Sequence, residues 1–504
     1  MNSASVQKIC IPIRESNVAS LEVAIASARS RAGFLELRLD YLDPSTLTVS
    51  NLNRWAALAE VPVIATFRRK ANGGEYPGDE AEQLRVADAA IQAKVGYVDL
   101  EIETIENSLR GNLSSLKCRG TRIIASYHHF ETTPPELQTV FERLQNTRPD
   151  VVKIATLARS FSDNYRLLEL ITLGEKDRMP VIAVAMGELG IYSRILAPSL
   201  GAVLTYGSLE EGLETAPGQV TAKDLHQIYR IHEIDPQTKL LGVIGFPIGH
   251  SLSPYIHNRG FQEAGLNFRY LPFPVRNLDD FASHLDRFDG FSVTIPHKVA
   301  ILKYAGCLDD TVRITGAGNT LVKEGTYFRA YNTDVDGVRA ALRVPLDRGV
   351  EKVVLLGAGG AARAVAVVLR EAGCKVTVLG RNLSKAKAFA EEFGFAWDSL
   401  AQSPEYGGDL LINATSVGMS PQCEEMPVDA DSLDYRYVFD LVYNPLETRL
   451  LRECQGKAKI ISGLDMFIAQ AARQFELWTG LSAPQELMRN VALERLRRPV
   501  KIEQ

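Results

Sequence analysis

Lys352-Val-Val-Leu-Leu-Gly-Ala-Gly-Gly-Ala-Ala-Arg363 is an apolar run that meets closely spaced glycines and continues into an alanine-rich stretch of helical composition. A strand, a glycine turn and a helix in that order bring backbone amides to a helix N-terminus. A pyrophosphate can approach there because Gly357, Gly359 and Gly360 lack a Cβ and Ala358 and Ala361 add little bulk. Glycine-alanine turns also serve tight helix packing alone, and it is the flanking strand and helix that favour dinucleotide binding. The next apolar run, Lys375–Leu379, ends in Gly380-Arg381-Asn382, without the acidic side chain that usually holds an unphosphorylated ribose. Arg381, with Ser384 and Lys385 nearby, offers a fork for a 2′-phosphate, so the expected cofactor is NADP.

On either side of this turn, polar loops follow apolar strands. Upstream lie Gly249-His-Ser-Leu-Ser-Pro254, Ser292-Val-Thr-Ile-Pro-His-Lys298, Gly316-Ala-Gly-Asn-Thr320 and Tyr331-Asn-Thr-Asp-Val-Asp-Gly337. Downstream lie Asn413-Ala-Thr-Ser-Val-Gly-Met419, Val442-Tyr-Asn-Pro445 and Met466-Phe-Ile-Ala-Gln470. Lys298 and Asp334 make a candidate catalytic pair, since reducing a ketone requires a proton for the developing alkoxide. Taken singly, Asp334 reads as a helix cap in Asn332-Thr-Asp-Val and Lys298 as an exposed first-turn residue.

Before residue 234 the pattern is different. Short apolar runs at Ile9–Ile13, Phe34–Leu39, Val61–Phe67, Tyr97–Leu100, Arg122–Tyr127, Val151–Thr156, Val181–Met186 and Ala202–Tyr206 alternate with helical stretches. Eight such units predict a closed (β/α)8 barrel with its chemistry at the C-terminal ends of the strands. Glu36, Arg38, Arg68, Glu101 and His128 fall late in strands or just past them, Lys153 falls inside the sixth, and Arg194 and Gln219 fall in loops after the seventh and eighth. A lysine in Val151-Val-Lys-Ile-Ala155 is costly to bury charged, and nearby arginines would favour the neutral amine that attacks a carbonyl. An isolated strand lysine is more often half of an ion pair, here with Glu36 or Glu101; the surrounding histidine, arginines and carboxylates reverse that preference. Arg194 is the candidate for a substrate carboxylate, because its fork makes two charge-assisted bonds, and His129 reads as a structural neighbour of His128.

The chain is 504 residues long, too long for one core, with Thr221–Glu233 as a last barrel helix and Ile234-Asp-Pro-Gln-Thr-Lys239 as a short polar linker. The domains expected are 1–233, and 240–504 with a substrate part at about 240–335, a nucleotide part at about 350–460 and C-terminal helices at about 464–504. A formal charge of -5 without a dense basic run argues against nucleic acid, and six scattered cysteines signal neither a metal site nor a disulfide framework. No run approaches the ~20 apolar residues of a membrane span, and the N-terminus has no basic segment followed by a long apolar one. The expectation is a metal-free, cytoplasmic monomer acting on small molecules, or a plastid stromal one if a transit peptide has been removed.

Glu36-Leu-Arg-Leu-Asp40, Thr66-Phe-Arg68, Val98-Asp-Leu-Glu101, Ser126-Tyr-His-His-Phe130, Val152-Lys-Ile-Ala155, Ser193-Arg194 and Ala216-Pro-Gly-Gln219 resemble, in order, type I 3-dehydroquinate dehydratase. The loops after residue 240 resemble shikimate dehydrogenase, so the whole resembles a fusion of the two: a TIM-type barrel, an α/β substrate domain and a Rossmann-type NADP-binding domain. The first resemblance implies a Schiff base from Lys153, His128 as general acid and base, Glu101 tuning His128, and Glu36, Arg38, Arg68 and Gln219 lining the pocket. Thr215 stands where that family usually has serine, and keeps the hydroxyl. The second implies that Ser251 and Ser253 bind a carboxylate, that Thr294, Asn319, Tyr443 and Gln470 contact the other polar groups of the substrate, and that Asn413, Thr415, Met419 and Gly463 join the cofactor site. Gly380-Arg381-Asn382 departs from a common Asn-Arg-Thr and loses a hydroxyl. The function implied is dehydration of 3-dehydroquinate to 3-dehydroshikimate and reduction of that product to shikimate with NADPH. The alternatives are a quinate dehydrogenase in the second half, disfavoured by Ser251 and Ser253, and a catalytically inactive metabolite sensor, which would need neither lysine.

Overall fold

The computed structural model describes residues 8–497 except 115, 117–119, 217, 250, 430–432 and the side chain at 404. Pro217 and His250 of the motifs above, Cys118 among the six cysteines, and the end of the 464–504 stretch lie outside the described residues. The chain divides into two compact units, Met1–Thr238 with Leu271–His284, and Lys239–Tyr270 with Leu285–Gln504. The segment Leu271–His284, expected within the second domain, thus groups with the barrel. Its Phe281 and Phe273 rings lie 4.6 and 5.6 Å from Phe161, and Asp280 accepts the Phe161 N–H at 2.7 Å.

In the first unit the eight expected strands form: β1 (Ile9–Ile13), β2 (Phe34–Arg38), β3 (Val63–Thr66), β4 (Tyr97–Glu101), β5 (Arg122–His129), β6 (Val151–Leu157), β7 (Val181–Met186) and β8 (Thr205–Ser208). A two-residue β9 (Val220–Thr221) joins β8, and the sheet runs in the order β7-β6-β5-β4-β3-β2-β1-β8-β9. At the remaining seam Val203 N–H donates to Val181 O at 3.0 Å, bringing the approach to β8 back against β7. Some bounds differ from expectation. β3 is shorter, β8 starts three residues later, and β5 runs on through both histidines. Arg194 sits on a helix, Ile191–Leu196, rather than in a loop, and the expected last helix is a six-residue Ala222–Gln227 followed by a 3-10 turn, broken by Arg230 at φ 47.

Strand side chains alternate between faces, so the inward face is read every second residue. Ile64, Tyr97, Ile124 and Val151 belong to one apolar cluster inside the barrel. Two residues further along the same strands stand Thr66, Asp99, Ser126 and Lys153, and two further again Arg68, Glu101, His128 and Ala155. The register that pairs Ser126 with Lys153 and Thr66 with Asp99 sets these as layers, an apolar floor beneath two polar tiers at the C-terminal rim.

The second unit contains two sheets. In the first, Lys239–Gly245 pairs parallel with Gly290–Val293, which pairs antiparallel with Thr320–Glu324, itself antiparallel to Tyr327–Tyr331. The second is parallel, in the spatial order Ala396–Ser399, Lys375–Gly380, Lys352–Leu356, Gly408–Asn413, Tyr435–Asp440, Lys459–Ser462. Numbered along the chain this order is 3-2-1-4-5-6, which reverses beside Lys352–Leu356, where a doubly wound sheet opens its ligand crevice.

Two candidate active sites

Lys153 is 4% exposed. Its Nζ donates to Asp99 Oδ2 at 2.7 Å and Glu36 Oε1 at 3.2 Å and lies 4.9 Å from the centre of the Tyr206 ring. The Glu36 ion pair weighed from sequence is therefore present. Arg68, the nearby arginine, shares Asp99 with Lys153, donating to Asp99 Oδ1 at 3.2 Å and facing Glu101 at 3.5 Å. One expectation here needs correction: Glu101 does not contact His128 directly, because its partners are Arg68 and Gln83, and the His128 contact is Arg68. Asp99, which sequence reasoning passed over as a motif residue, joins these groups and also accepts from Ser126 Oγ at 2.6 Å. Its signal was its place two residues before Glu101, on the same face of β4.

Burial would raise the Asp99 carboxyl, but Lys153 and Arg68 outweigh it and hold Asp99 well below the carboxylate range. Burial raises Glu101. Burial, Arg68 and Lys153 push His128 well below its ordinary value, so its imidazole is neutral. With Nε2 against the Arg68 guanidinium, which can only donate, the ring proton belongs on Nδ1, and that atom has no partner. Arg194 is 1% exposed, its Nε and Nη2 are unpartnered, and burial lowers it to about 10. The Tyr206 hydroxyl is likewise buried and unpartnered. Arg38 makes a two-pronged pair with Asp40 at 2.7 and 2.9 Å, and Thr215 and Gln219 bond to each other across their loop. His129 accepts from Thr132 N–H at 3.1 Å and caps a turn, as a structural neighbour would.

In the second unit Lys298 Nζ donates to Asp334 Oδ2, while Asn319 Nδ2 holds Asp334 Oδ1 at 2.8 Å. Asp334 is not a cap: it is the first residue of helix Asp334–Asp347, and both its oxygens are engaged. Asn319 Nδ2 lies 3.4 Å from Gln470 Oε1, and Asn319 Oδ1 accepts Thr333 N–H at 2.7 Å. Ser251 Oγ accepts Ser253 N–H at 3.3 Å at the start of helix Ser253–Glu263. Thr294 backs against Gly245, where a Cβ would come within 2.3 Å of its methyl. Tyr443 stacks on Phe467 at 4.4 Å, and burial pushes its hydroxyl up to about 12.

The nucleotide turn starts at Gly357, with φ 98 and room for no side chain beside Thr415. Gly359 precedes helix Gly360–Glu371, which no side chain caps, and a Cβ there would meet nothing within 4 Å. Uncapped amides above open space fit a pyrophosphate. A Cβ on Gly360 would sit 3.4 Å from Lys298, which sets this turn beside the lysine–aspartate pair. Arg381 is exposed and lines a cleft of about 420 Å³ with Ser399, Ser403, Met426 and Asp429. Asp429 corrects the expectation that no carboxylate stands near Arg381. Asn382 caps helix Leu383–Phe393, accepting Lys385 N–H at 3.0 Å, with Ser384 and Lys385 exposed on its first turn. Asn413 offers a cofactor no surface: it is fully buried and braces Thr415, Val417 and Asp440. Gly463 is a packing position, since a Cβ would meet Leu441 O at 2.4 Å, whereas Met419 is exposed.

The family model "Type I 3-dehydroquinase" matches residues 9–236. Models for the shikimate dehydrogenase substrate binding domain, shikimate/quinate 5-dehydrogenase and the shikimate 5′-dehydrogenase C-terminal domain match 243–321, 341–420 and 463–493. A chloroplastic bifunctional 3-dehydroquinate dehydratase/shikimate dehydrogenase of Arabidopsis thaliana is 36% identical over 505 residues, covering 95% of this chain and 83% of that protein. A shikimate dehydrogenase (NADP(+)) of Microcystis aeruginosa is 41% identical over 284 residues, 52% of this chain and 99% of its own length. A pentafunctional AROM polypeptide of Candida glabrata is 31% identical over 496 residues, 89% of this chain and 30% of that protein. Among the described residues no helix is long and apolar enough to cross a membrane.

Proposed function

The chain belongs to the bifunctional 3-dehydroquinate dehydratase/shikimate dehydrogenase family, and on that premise we propose that Lys153 and Lys298 each run one of two consecutive reactions. The observation that carries the first is a buried lysine held by two carboxylates, 4.9 Å from the ring of Tyr206, in a barrel that also buries unpartnered donors on Arg194 and Tyr206. A binding site awaiting an anion has donors of that kind, because unsatisfied buried donors are costly in a free protein.

Arg194 takes the carboxylate of 3-dehydroquinate, and Lys153 attacks its ketone, whose oxygen leaves as water to give the protonated imine. Glu36 accepts the lysine proton, while Asp99, held ionised, remains as counter-ion to the protonated imine. His128, neutral, exchanges Arg68 for substrate at Nε2 and takes the proton next to the imine carbon; it returns that proton to the departing hydroxyl, which leaves as water. Hydrolysis of the imine frees Lys153 and releases 3-dehydroshikimate.

In the second unit Ser251 and Ser253 hold the carboxylate, and Asn319, Gln470 and Tyr443 orient the ring. The amides after Gly357 would hold the pyrophosphate of NADPH and Arg381 its 2′-phosphate, and the bound cofactor would supply a hydride. Lys298 protonates the oxygen that develops charge, and Asp334, held by Asn319, keeps the ammonium aimed. The substrates are small molecules and the acting form is a monomer in cytoplasm or plastid stroma, with no nucleic-acid or membrane partner.

With 3-dehydroquinate and NADPH supplied together, shikimate should appear with one NADPH consumed per molecule. Failure to form 3-dehydroshikimate refutes the first reading. Failure to reduce added 3-dehydroshikimate, or faster oxidation of quinate than of shikimate with NADP, refutes the second.

A further inference from the structure

Asp440 ends the strand Tyr435–Asp440, paired with Asn413 at the end of Gly408–Asn413, and is fully buried. Two loops leave the sheet from these neighbouring positions. One runs from Ala414 to Met419 past Thr415, which lies against Gly357 of the nucleotide turn. The other runs from Leu441 to Thr448 and carries Tyr443. Asp440 bonds to both: Oδ1 accepts from Asn413 Nδ2 at 2.9 Å and Val442 N–H at 3.0 Å, and Oδ2 accepts from Thr448 Oγ1 at 2.6 Å. Asn413 extends the network, since Nδ2 also reaches Val417 O at 3.3 Å and Oδ1 accepts the Thr415 N–H at 3.1 Å and the Thr415 hydroxyl at 2.6 Å.

A carboxylate with no exposed surface touches neither substrate nor cofactor. Burying one is expensive, and a position whose sole task was to fill the sheet edge would be served by an apolar residue. What a carboxylate adds is two oxygens able to take donors from two loops at once. We propose that Asp440 is a positioning residue that fixes the cofactor-side loop and the substrate-side loop to one another, so that occupancy of the site at Thr415 and the placing of Tyr443 depend on one shared group. Burial raises the Asp440 carboxyl to about 6, and Thr448, Val442 and Asn413 each act against that rise, as donors to an ionised group do.

The proposal rests on the second unit being an NADP-dependent shikimate dehydrogenase, and its test separates the two ideas. If the wild type does not reduce 3-dehydroshikimate with NADPH, that reading fails. If it does, three substitutions read the latch. Thr448→Val frees the Tyr443 loop from Asp440, together with the cap that Thr448 gives Leu451 N–H at 3.3 Å, leaves the bonds of Asn413 in place, and should raise KM for 3-dehydroshikimate about tenfold with KM for NADPH unchanged. Asn413→Ala frees the Thr415 loop and should do the opposite. Asp440→Asn should raise both. Dehydratase rate per mole of chain, unchanged in all three, reports protein with an intact first unit. A lowered melting temperature with both KM values at wild type, or the same change in both KM values from Thr448→Val as from Asn413→Ala, overturns the proposal. Should Asp440→Asn not fold, the contrast between the other two decides alone.

Discussion

Lys153 and Lys298 both donate to a carboxylate, but their settings are opposite. Lys153 stands on a strand, in the middle tier of a barrel, between Asp99 and Glu36, with its side chain 5% exposed. Lys298 stands in a loop, with Asp334 as its one acidic partner among the described residues and its side chain 15% exposed. A nucleophile must lose its proton and then carry a charge as an imine, so two carboxylates suit it: one to take the proton, one to remain ionised. A proton donor must hold its proton until the substrate oxygen needs it and then recover one from solvent, which an open position with one carboxylate allows. On the proposed roles, the number of acid neighbours and the access of water would let identical side chains do different chemistry.

The largest expected effect separates the two sites. Lys153→Ala should remove dehydration by on the order of 10⁴-fold or more while leaving the reductase intact, because loss of a covalent nucleophile removes the pathway itself. Lys298→Ala should cut the reductase by about 10²- to 10⁴-fold, the usual worth of a positioned acid, and spare dehydration. Borohydride added with 3-dehydroquinate should leave a reduced adduct on the tryptic peptide containing Lys153 and none on that containing Lys298. Labelling of Lys298, or none at all in active protein, would erase the distinction.

Asp99 sharpens the same contrast. As counter-ion to the imine it should matter more than any other carboxylate in the barrel, and Asp99→Asn should lower dehydratase kcat about 10²-fold, comparable to removing one preorganised electrostatic partner. Glu101→Gln, whose contacts are Arg68 and Gln83, should cost much less. Equal losses from both would mean that the buried network acts only as a unit.

Much of this was legible in the sequence, and the gaps have physical causes. The eight barrel strands, Lys352–Leu356 and the strand from Lys375 read as apolar runs, and residues at their ends followed from the barrel and doubly wound rules. Asp99 was missed although its motif was quoted, because a strand acid reads as ordinary until period-two alternation places it beside Lys153. The partner of Glu101 was misassigned because sequence order says nothing about which side chain of a tier stands between two others, and Arg68 stands between Glu101 and His128. Asn413 entered the cofactor site only through the resemblance of its motif; its burial follows from pairing with Asp440, a partner 27 positions on. Asp429 could not be matched with Arg381 by any local pattern, since the cleft they share joins distant loops.

Cofactor choice is a smaller effect. Arg381 is exposed, and a hydrogen bond to a charged group is worth about 1.5–3 kcal/mol, so Arg381→Ala should raise KM for NADPH about 10- to 100-fold and leave KM for 3-dehydroshikimate unchanged. Asp429, lining the same cleft, works against a 2′-phosphate, and Asp429→Asn should lower KM for NADPH a few-fold while scarcely changing that for NADH. Parallel shifts with both cofactors would show that neither residue reads the phosphate.

The smallest effect contrasts a buried histidine with the catalytic one. His257 is fully buried, stacked on Tyr270 at 4.6 Å and edge-on to Trp478 at 5.1 Å, and burial pushes it down to about 3. Unfolding returns it to about 6.5, so between those two pH values the unfolded chain binds the additional proton. A histidine with a lowered value contributes its full stability above pH 6.5 and loses about 1.4 kcal/mol for each unit of pH below that, down to about 3. His257→Phe keeps an aromatic ring against Tyr270 and removes the titration. Urea unfolding followed by tryptophan fluorescence should therefore show wild type losing stability relative to His257→Phe by about 2 kcal/mol between pH 6.5 and pH 5, with no relative change between pH 7 and pH 8. His128, by contrast, stands in the upper polar tier of the barrel and is proposed to meet substrate, and its substitution should alter the pH profile of dehydration. Wild-type and His257→Phe curves that stay parallel from pH 7 to pH 5 would mean that water reaches His257 and that its site is not the dry core its packing describes.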